Sequence, residues 1–395
     1  MRQFIAESLF VATRQLRHRG RQAGPMLAGV GVAIVLMFMQ LGFRNSLYES
    51  AVGVPRAVSA DLFVTNALYE SMTVVPPWFP RSTLHRISAI DGVATARPLY
   101  VQAVDVSSPS KGVKMGSWML AYDLRQPVFL AADINQAADL LKLPNAVLLD
   151  SRSRFEYQTV VARVRNGETP SLTLPQGSAT LSPYLIVAGL FTQGPTFFAD
   201  GLMITSDLNY YRWMQTPLDR LSLGLVTLDP ATDPQEMKQR IQTAVGDGLR
   251  VLTRQEFLDQ ERNFFATRTP IGTIFNFGLL VGMVVGVVFI SQVLQGIVEV
   301  NIREYAVLST MGYRESFLGM IVLEISLIVA VVTFIPSFAL SVLLYHLAAN
   351  ATTLPLAMTV ESAVTVFGAV LCMGVLASLI AMRKLKKSNP LDLFS

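Results

Sequence analysis

Four stretches of the chain run for twenty residues or more with almost no charge. Residues 22–43, with GPMLAGVGVAIVLMFMQLGF at their heart, lie between Arg21 and Arg44. Residues 269–298 lie between Arg268 and Glu299, a third run follows Glu324 as far as Glu361, and residues 362–382 end at Arg383. A helix rises about 1.5 Å per residue, so roughly twenty apolar residues cross the hydrocarbon core of a bilayer. The pattern predicts transmembrane spans at 24–43, 271–296, 316–346 and 362–382. The third should end near His346, because ANATTLPLAM is polar and broken by Pro355. The first is too long for a secretory leader, and no small-residue cleavage site follows it, so it is expected to be retained.

Between the spans the periodicity changes. Residues 1–23 place Phe4, Ile5, Leu9, Ala12 and Leu16 roughly on one face, with arginines toward the end, which predicts an amphipathic helix on the membrane surface before a turn at Gly20. Residues 44–268 form a large domain containing a weak repeat. In 81–106, Leu84, Ile87 and Ile90 have helical spacing, followed by a glycine turn and an alternating strand. In 233–257, Met237, Ile241 and Val245 repeat the arrangement before Gly246 and Gly248. With preceding strands at Leu62–Thr65 and Ser222–Thr227, the two halves read as βαβ units of an α+β domain. The part between them, about 126–215, reads as a mostly β insertion carrying NAVLLD, VVARVRNGETP, LTLPQGSATL and YLIVAGLF. Residues 254–268 read as a stalk helix continuing into the second span, with Pro270 the one candidate break.

Composition and charge set the orientation. The chain is 51% hydrophobic and 15% charged, too apolar for an ordinary soluble protein. Arg2, Arg14, Arg17, Arg19 and Arg21 precede the first span against Glu7, and Arg383, Lys384, Lys386 and Lys387 follow the fourth against Asp392. The 347–361 loop has neither Lys nor Arg. The positive-inside rule therefore places both termini (1–23 and 383–395) and the 299–315 segment in the cytoplasm, with 44–268 and 347–361 on the far side. The 44–268 domain has 21 basic and 21 acidic residues, a balance that argues against nucleic acid as a partner. Cys372, inside the fourth span, is the one cysteine, so no disulfide staples the domain.

Catalytic signatures are missing. The chain has no GxxxxGK[ST] loop, no HExxH, no GxSxG and no clustered Cys/His set; His18, His85 and His346 lie in three separate regions. No catalytic residue, metal site or cofactor of its own is expected. Glu324 is an ionisable residue inside a span, a functional candidate by default or a structural hydrogen-bond acceptor. Gly278, Gly282 and Gly286 recur every four residues along the second span, a face on which another helix can approach closely. Between the second and third spans, Tyr305, Leu308 and Met311 share one helical face, and Gly312 can stop the helix.

The segment REYAVLSTMGY (303–313), followed by a span with an early glutamate, resembles the coupling helix of MacB/FtsX/LolC-type permeases. The order of one span, a large outer domain and three spans matches that superfamily along the full chain. Within it, VLMFMQLGF (35–43), LFTQGPTFFADGLMITSDLNYYR (190–212), VLTRQEFLDQERNFF (251–265), IPSFALSVLLYHLAANATTLPLAM (335–358) and RKLKKSNPLDLF (383–394) resemble the DevC-like exporter permeases. The resemblance implies a non-catalytic, multi-pass inner-membrane subunit, working as a homodimer with a separate ABC ATPase that holds ATP and Mg. It implies that Arg303, Glu304, Tyr305, Leu308, Met311, Gly312 and Tyr313 couple to that ATPase. A periplasmic adaptor, a TolC-like channel and a glycolipid or other lipophilic cargo are implied too. So is a division of the outer domain into a porter-like part (56–125 and 216–253) and a Sabre-like insertion (126–215). A LolC-like lipoprotein-releasing permease and an FtsX-like regulator of a cell-wall hydrolase are the alternative readings.

The predicted orientation has a direct test. With Cys372 replaced, a cysteine at Ser110 should react with an impermeant maleimide in intact spheroplasts, and one at Ser388 should react only after the membrane is opened. The opposite pattern inverts the topology.

Overall fold

A computed structural model describes residues 2–74, 76–107, 114–174, 184–194, 199–311, 313, 315–352 and 354–387. The chain begins with helices α1 (Arg2–Ala51) and α2 (Gly53–Ala57), then strands β1 (Leu62–Asn66) and β2 (Phe79–Pro80), α3 (Ser82–Ser88), β3 (Val93–Ser107) and β4 (Lys114–Tyr122). Next come α4 (Ala132–Gln136), β5 (Ala146–Asp150), α5 (Phe155–Arg165), β6 (Ser171–Thr173), β7 (Tyr184–Phe191), β8 (Gly201–Ser206), α6 (Asp207–Met214) and β9 (Arg220–Leu221). The order ends with β10 (Leu223–Leu228), α7 (Pro234–Val245), β11 (Leu249–Thr253), α8 (Arg254–Asn263), α9 (Pro270–Val300), α10 (Ile302–Thr310), α11 (Glu315–Thr352) and α12 (Val360–Lys387). Two compact units result. One holds Met1–Asn45, Ile271–Ala349 and Leu356–Ser395, and the other Ser46–Pro270 with Asn350–Pro355.

Among the described residues four helices, lying mostly in the first unit, are long and apolar enough to span a membrane: Gly24–Ala51, Pro270–Val300, Ser316–Thr352 and Val360–Arg383. Two boundaries differ from expectation. Helix α1 passes through Gly20 without a turn; a lone glycine costs a helix only about 1 kcal/mol, too little to break it between good helix formers. Helix α11 does not stop near His346 but continues to Thr352. Its last turns are rich in alanine, the strongest helix former, and the restriction that Pro355 places on the residue before it bounds the extension.

The glycines of the second span meet the first. A Cβ on Gly278 would lie 2.6 Å from Gln40 Cδ, and one on Gly282 would lie 2.8 Å from Met37 Cγ and 3.6 Å from the Ala33 carbonyl oxygen. On Gly286 it would abut the Met373 sulfur of α12 and lie 3.6 Å from Ala33 Cβ. In return, a Cβ on Gly29 of α1 would press against the Phe289 ring. The pairs 29/289, 33/286, 37/282 and 40/278 describe one antiparallel seam. Arg44 Nη1 extends it by donating to Asn276 Oδ1 at 3.1 Å. Helix α11 lies on α1 through Phe38, whose ring is 5.7 Å from Phe338, and through the Tyr345 hydroxyl donated to the Phe38 carbonyl. It is tied to α12 by Ser326 Oγ, which donates to the Gly374 carbonyl at 2.9 Å. Lipid offers no hydrophobic drive between helices, so such close approach and hydrogen bonding hold them together.

The second unit is α+β. Strands β11-β1-β10-β3 are adjacent in that order, with β1–β11, β1–β10 and β10–β3 all antiparallel. Counting these four strands in chain order gives 4-1-3-2, a split pair of βαβ units whose crossover helices are α3 and α7. The repeat read from sequence is therefore present, and both turns rest on glycine: Gly92 has φ +96° and Gly246 φ +80°. Strand β3 is fifteen residues long and serves two neighbours. Val93–Leu99 pair with β10 and Leu99–Ser107 with β4. The segment inserted after β4 adds its strands to the same sheet in the order β4-β8-β5-β7-β6. Strand β6 then meets β3 again at Ser107↔Thr173, closing the pairing into a ring.

The insertion is less β-rich than its pattern suggested, since α4, α5 and α6 lie within it. VVARVR belongs to helix α5, with Tyr157, Val160 and Val161 buried at helical spacing and the residues between them facing out. Of LTLPQGSATL, residues 175–181 lie outside the described residues. Along the sheet, alternate side chains enter two cores. Leu62, Val64, Tyr100, Met119 and Ala121 pack with α3, α5 and α7 on one side. Phe63, Leu99, Val101, Leu120 and Tyr122 pack with Phe257 of α8 and with Phe129 on the other.

The expected stalk is interrupted. Helix α8 opens with a capping box between Thr253 and Glu256, and Phe257 stacks on Phe63 at 4.2 Å. A π-helical turn, Phe264–Arg268, comes after it, and Thr269 is extended (φ −111°, ψ 150°) before α9 starts at Pro270. The pre-proline position disfavours helical backbone, and proline suits the first position of a new helix.

The seam predicts an asymmetry among glycines. Gly282→Leu should lower the thermal stability of the purified permease by the roughly 1–3 kcal/mol typical of overpacking. Gly296→Leu, where a Cβ meets nothing within 4 Å, should leave it nearly unchanged. Melting in detergent, followed by the helical circular-dichroism signal, separates the two.

Candidate functional site

The short element between the second and third spans is built from its two ends. Helix α9 finishes at Val300, and Asn301 covers its terminus by donating Nδ2 to the Ile297 carbonyl at 2.8 Å. Helix α10 begins at once, without a loop. Its exit is closed by Met311 N donating to the Val307 carbonyl at 3.0 Å and Tyr313 N to the Leu308 carbonyl at 3.2 Å. The Tyr313 ring then stacks on Phe317 at 4.6 Å, in the first turn of α11. Phe317 is itself buried in the helical core. The helix is thus joined at one end by a single residue and at the other by an aromatic stack.

The faces of α10 are distinct. Leu308 is half-buried and packs against the core that contains Val298, Phe317 and Ile321. Glu304, Val307 and Met311 are exposed, with Val307 at 53% and Met311 at 69%. These three are spaced i, i+3 and i+7, one stripe of a helix. Leu308 and Met311, which share a face by helical period alone, therefore look in different directions, and Val307 takes the place of Leu308 on the exposed face. The period marks both stripes as candidates, and only the packing of the neighbouring spans selects between them. The backbone at Arg303 and Tyr305 is helical, while their side chains and Gly312 lie outside the described residues.

Glu324 sits nine residues after Glu315 on α11, about 13 Å of helix rise. It is half-buried, between the fully buried Ile321 and Ile325. The structure thus brings Leu308, Met311 and Tyr313 to the short element, with Val307 added, and puts Glu324 deeper along the third span. Gly278, Gly282 and Gly286 belong to the α1–α9 seam and serve packing. Among the described residues, no group of three or more His, Cys, Asp and Glu is placed to hold a metal ion.

No curated protein matches the chain. Among solved structures, it is similar to the periplasmic region of MacB from Actinobacillus actinomycetemcomitans, with 8% identity and a TM-score of 0.35, covering 53% of this chain and 95% of that one. It is similar to the extracellular domain of the noncanonic ABC-type transporter YknZ from Gram-positive bacteria, with 14% identity and a TM-score of 0.30, covering 49% of this chain and 99% of that one. A domain of a putative permease protein from Porphyromonas gingivalis gives 14% identity and a TM-score of 0.29, covering 49% and 86%. From the second span to the C-terminal tail, residues 276–390 match the family of FtsX-like permease C-terminal domains, a stretch that includes α10 and α11 and most of α9 and α12.

Proposed function

We propose that the chain is the permease subunit of an ABC-type system in which a separate ATPase seats on α10. The observation that carries this reading is the two-sided character of that helix inside the FtsX-like segment. Leu308 and the Tyr313–Phe317 stack bind it to the spans, while Glu304, Val307 and Met311 are presented outward. ATP and Mg belong to the partner. Movement of the ATPase on α10 is passed to α9 and α11 as a mechanical displacement, and through α9 to the α+β domain that precedes it in the chain.

In this reading the protein is a homodimer of the inner membrane, with cytoplasmic termini and its α+β domain in the periplasm. The domain works on a lipophilic cargo, a glycolipid in the DevC-like case, and passes it to a periplasmic adaptor and a TolC-like channel. The sparse supply of ionisable groups in the spans supports force transmission over a polar conduit: the third span has Glu324 as its interior charge, and the other three apolar runs have none.

The coupling role predicts a split between neighbouring residues. Val307→Asp and Met311→Asp should each weaken co-purification of the co-expressed ATPase by roughly tenfold or more, as loss of an apolar anchor at an interface does, while the permease's own melting is unchanged. Leu308→Asp should instead lower permease stability, because a carboxylate forced against an apolar core costs several kcal/mol. Glu304→Ala should cost at most about 1 kcal/mol of association. Normal ATPase capture by both Val307→Asp and Met311→Asp would remove α10 as the seat.

A further inference from the structure

Helix α8 carries a carboxylate that the proposed coupling does not use. Glu261 is completely buried, and so is the group of residues that surrounds it. Tyr69 donates its hydroxyl to Oε1 at 2.6 Å and Ser71 donates Oγ to Oε2 at 2.7 Å. The Met72 amide is shared between the two oxygens at 3.2 Å each. All three donors come from one loop, the segment directly after β1. The Tyr69 ring lies on Phe257 of α8 at 5.7 Å, one turn before Glu261. Further contacts hold the same loop from outside. Gln260 Nε2 donates to the Tyr69 and Glu70 carbonyls at 3.2 and 3.3 Å, and Arg250 Nη2 of β11 donates to the Tyr69 carbonyl at 2.7 Å.

Several charged groups around this cluster are committed elsewhere, and Arg268 is exposed beside the neighbouring cleft. Glu256 accepts from Lys238 at 2.6 Å, Asp259 pairs with Arg262 at 3.3 Å, and Arg262 reaches Glu49 at 3.2 Å. Glu70, on the loop, is exposed. Arg250 reaches the loop itself, and it donates there to a carbonyl. Among the described residues no salt bridge reaches Glu261, so a negative charge there is held by neutral donors alone. Tyrosine and serine hydroxyls can also rotate to accept a hydrogen bond, so the cluster accommodates the protonated carboxyl too.

We propose that Glu261, Tyr69, Ser71 and the Met72 amide form a proton-operated latch, which holds the loop after β1 closed on α8 while the carboxyl is protonated and loosens it when the carboxyl ionises. A cleft of about 440 Å³ alongside, lined in part by Tyr69, Gln260, Asn263 and Phe264, brings solvent to the edge of the cluster. The π-helical turn Phe264–Arg268 begins three residues after Glu261, so the latch sits directly ahead of the irregular segment that leads into α9. The latch stands whether or not α10 carries an ATPase.

The direction of the switch is set by its balance of forces. Burial pushes the Glu261 carboxyl up, and the bonds from Tyr69, Ser71 and Met72 pull it back only in part, leaving it at about 7 against an ordinary value of 4.5. The closed form thus binds the proton more tightly than an open, hydrated form does. Its advantage is complete below about pH 4.5, declines as pH rises, and is exhausted once pH passes about 7.

Amide hydrogen exchange of the full chain in lipid nanodiscs tests this, with protection factors for residues 69–73 corrected for the pH dependence of intrinsic exchange. Between pH 6 and pH 8 protection in the natural protein should fall about tenfold, the change in opening expected for a group that titrates near 7 closed and near 4.5 open. Glu261→Gln, which keeps an acceptor and cannot ionise, should show no such fall. Tyr69→Phe removes one donor to the anion and should move the transition to lower protection at every pH above 6. Should Glu261→Gln fail to fold, the Tyr69→Phe profile and the fall in the natural protein still decide the matter. A natural protein with pH-independent protection, or a Glu261→Gln variant with the same tenfold fall, overturns the latch.

Discussion

A helix in hydrocarbon satisfies its own backbone but gains nothing from hiding apolar side chains, so the bundle depends on how closely its axes can approach. The α1–α9 seam is one place where this constraint is met. Gly278, Gly282 and Gly286 remove the side chains that would hold α9 away from Ala33, Met37 and Gln40, and Gly29 does the same for Phe289. The seam ends at Arg44 and Asn276, so the chain leaves the first span and returns into the second at neighbouring points. The 225 residues between Asn45 and Ile271 can therefore fold as a unit closed on itself, with its two ends together. That arrangement is the usual condition for inserting a domain between two packed helices.

Within that domain the long strand β3 does the joining. Its first half completes the split βαβ sheet and its second half starts the inserted strands, so one continuous backbone runs through both. Closure of the ring at Ser107↔Thr173 leaves β6 paired with both β7 and the end of β3. An edge that would expose unpaired amides is thereby reduced. Helix α8 is fastened to this sheet by the Phe63–Phe257 stack and by Arg254, which donates to the Arg56, Val58 and Ala60 carbonyls. Beyond α8 the backbone is less regular: a π turn, an extended Thr269 and a new helix at Pro270.

The short helix α10 shows the same economy in the bundle. One capping asparagine and one stacked tyrosine connect it to its neighbours, and a single leucine keys it into the core. Among the described residues, Glu304, Val307 and Thr310 of the helix are exposed. Val307 and Met311, with Glu304 beside them, are exposed there, and it is on them that the proposed ATPase would seat.

Much of this was legible in the sequence because it depends on local pattern. Long runs almost without charge marked four spans, since a charge in lipid is costly and its rarity shows in the composition of the run alone. Glycine turns and alternating residues located both βαβ halves, and the spacing of Gly278, Gly282 and Gly286 announced a close approach. Other features rest on contacts between distant segments. That α1 is the partner of the glycine face, that Val307 and not Leu308 faces out, and that VVARVR is a helix packed on the sheet were decided by which neighbour lies alongside. Glu261 is the clearest case. In FLDQERNFF its spacing puts it on the face of Phe257, Leu258 and Phe265, unlike Asp259 or the capping Glu256, but nothing local supplies the groups that bond to it. Its burial and its three donors come from a loop about 190 residues away in the chain. Periodicity is written in neighbouring residues and survives without a fold, whereas the environment of a single side chain exists only once the remote segments have come together.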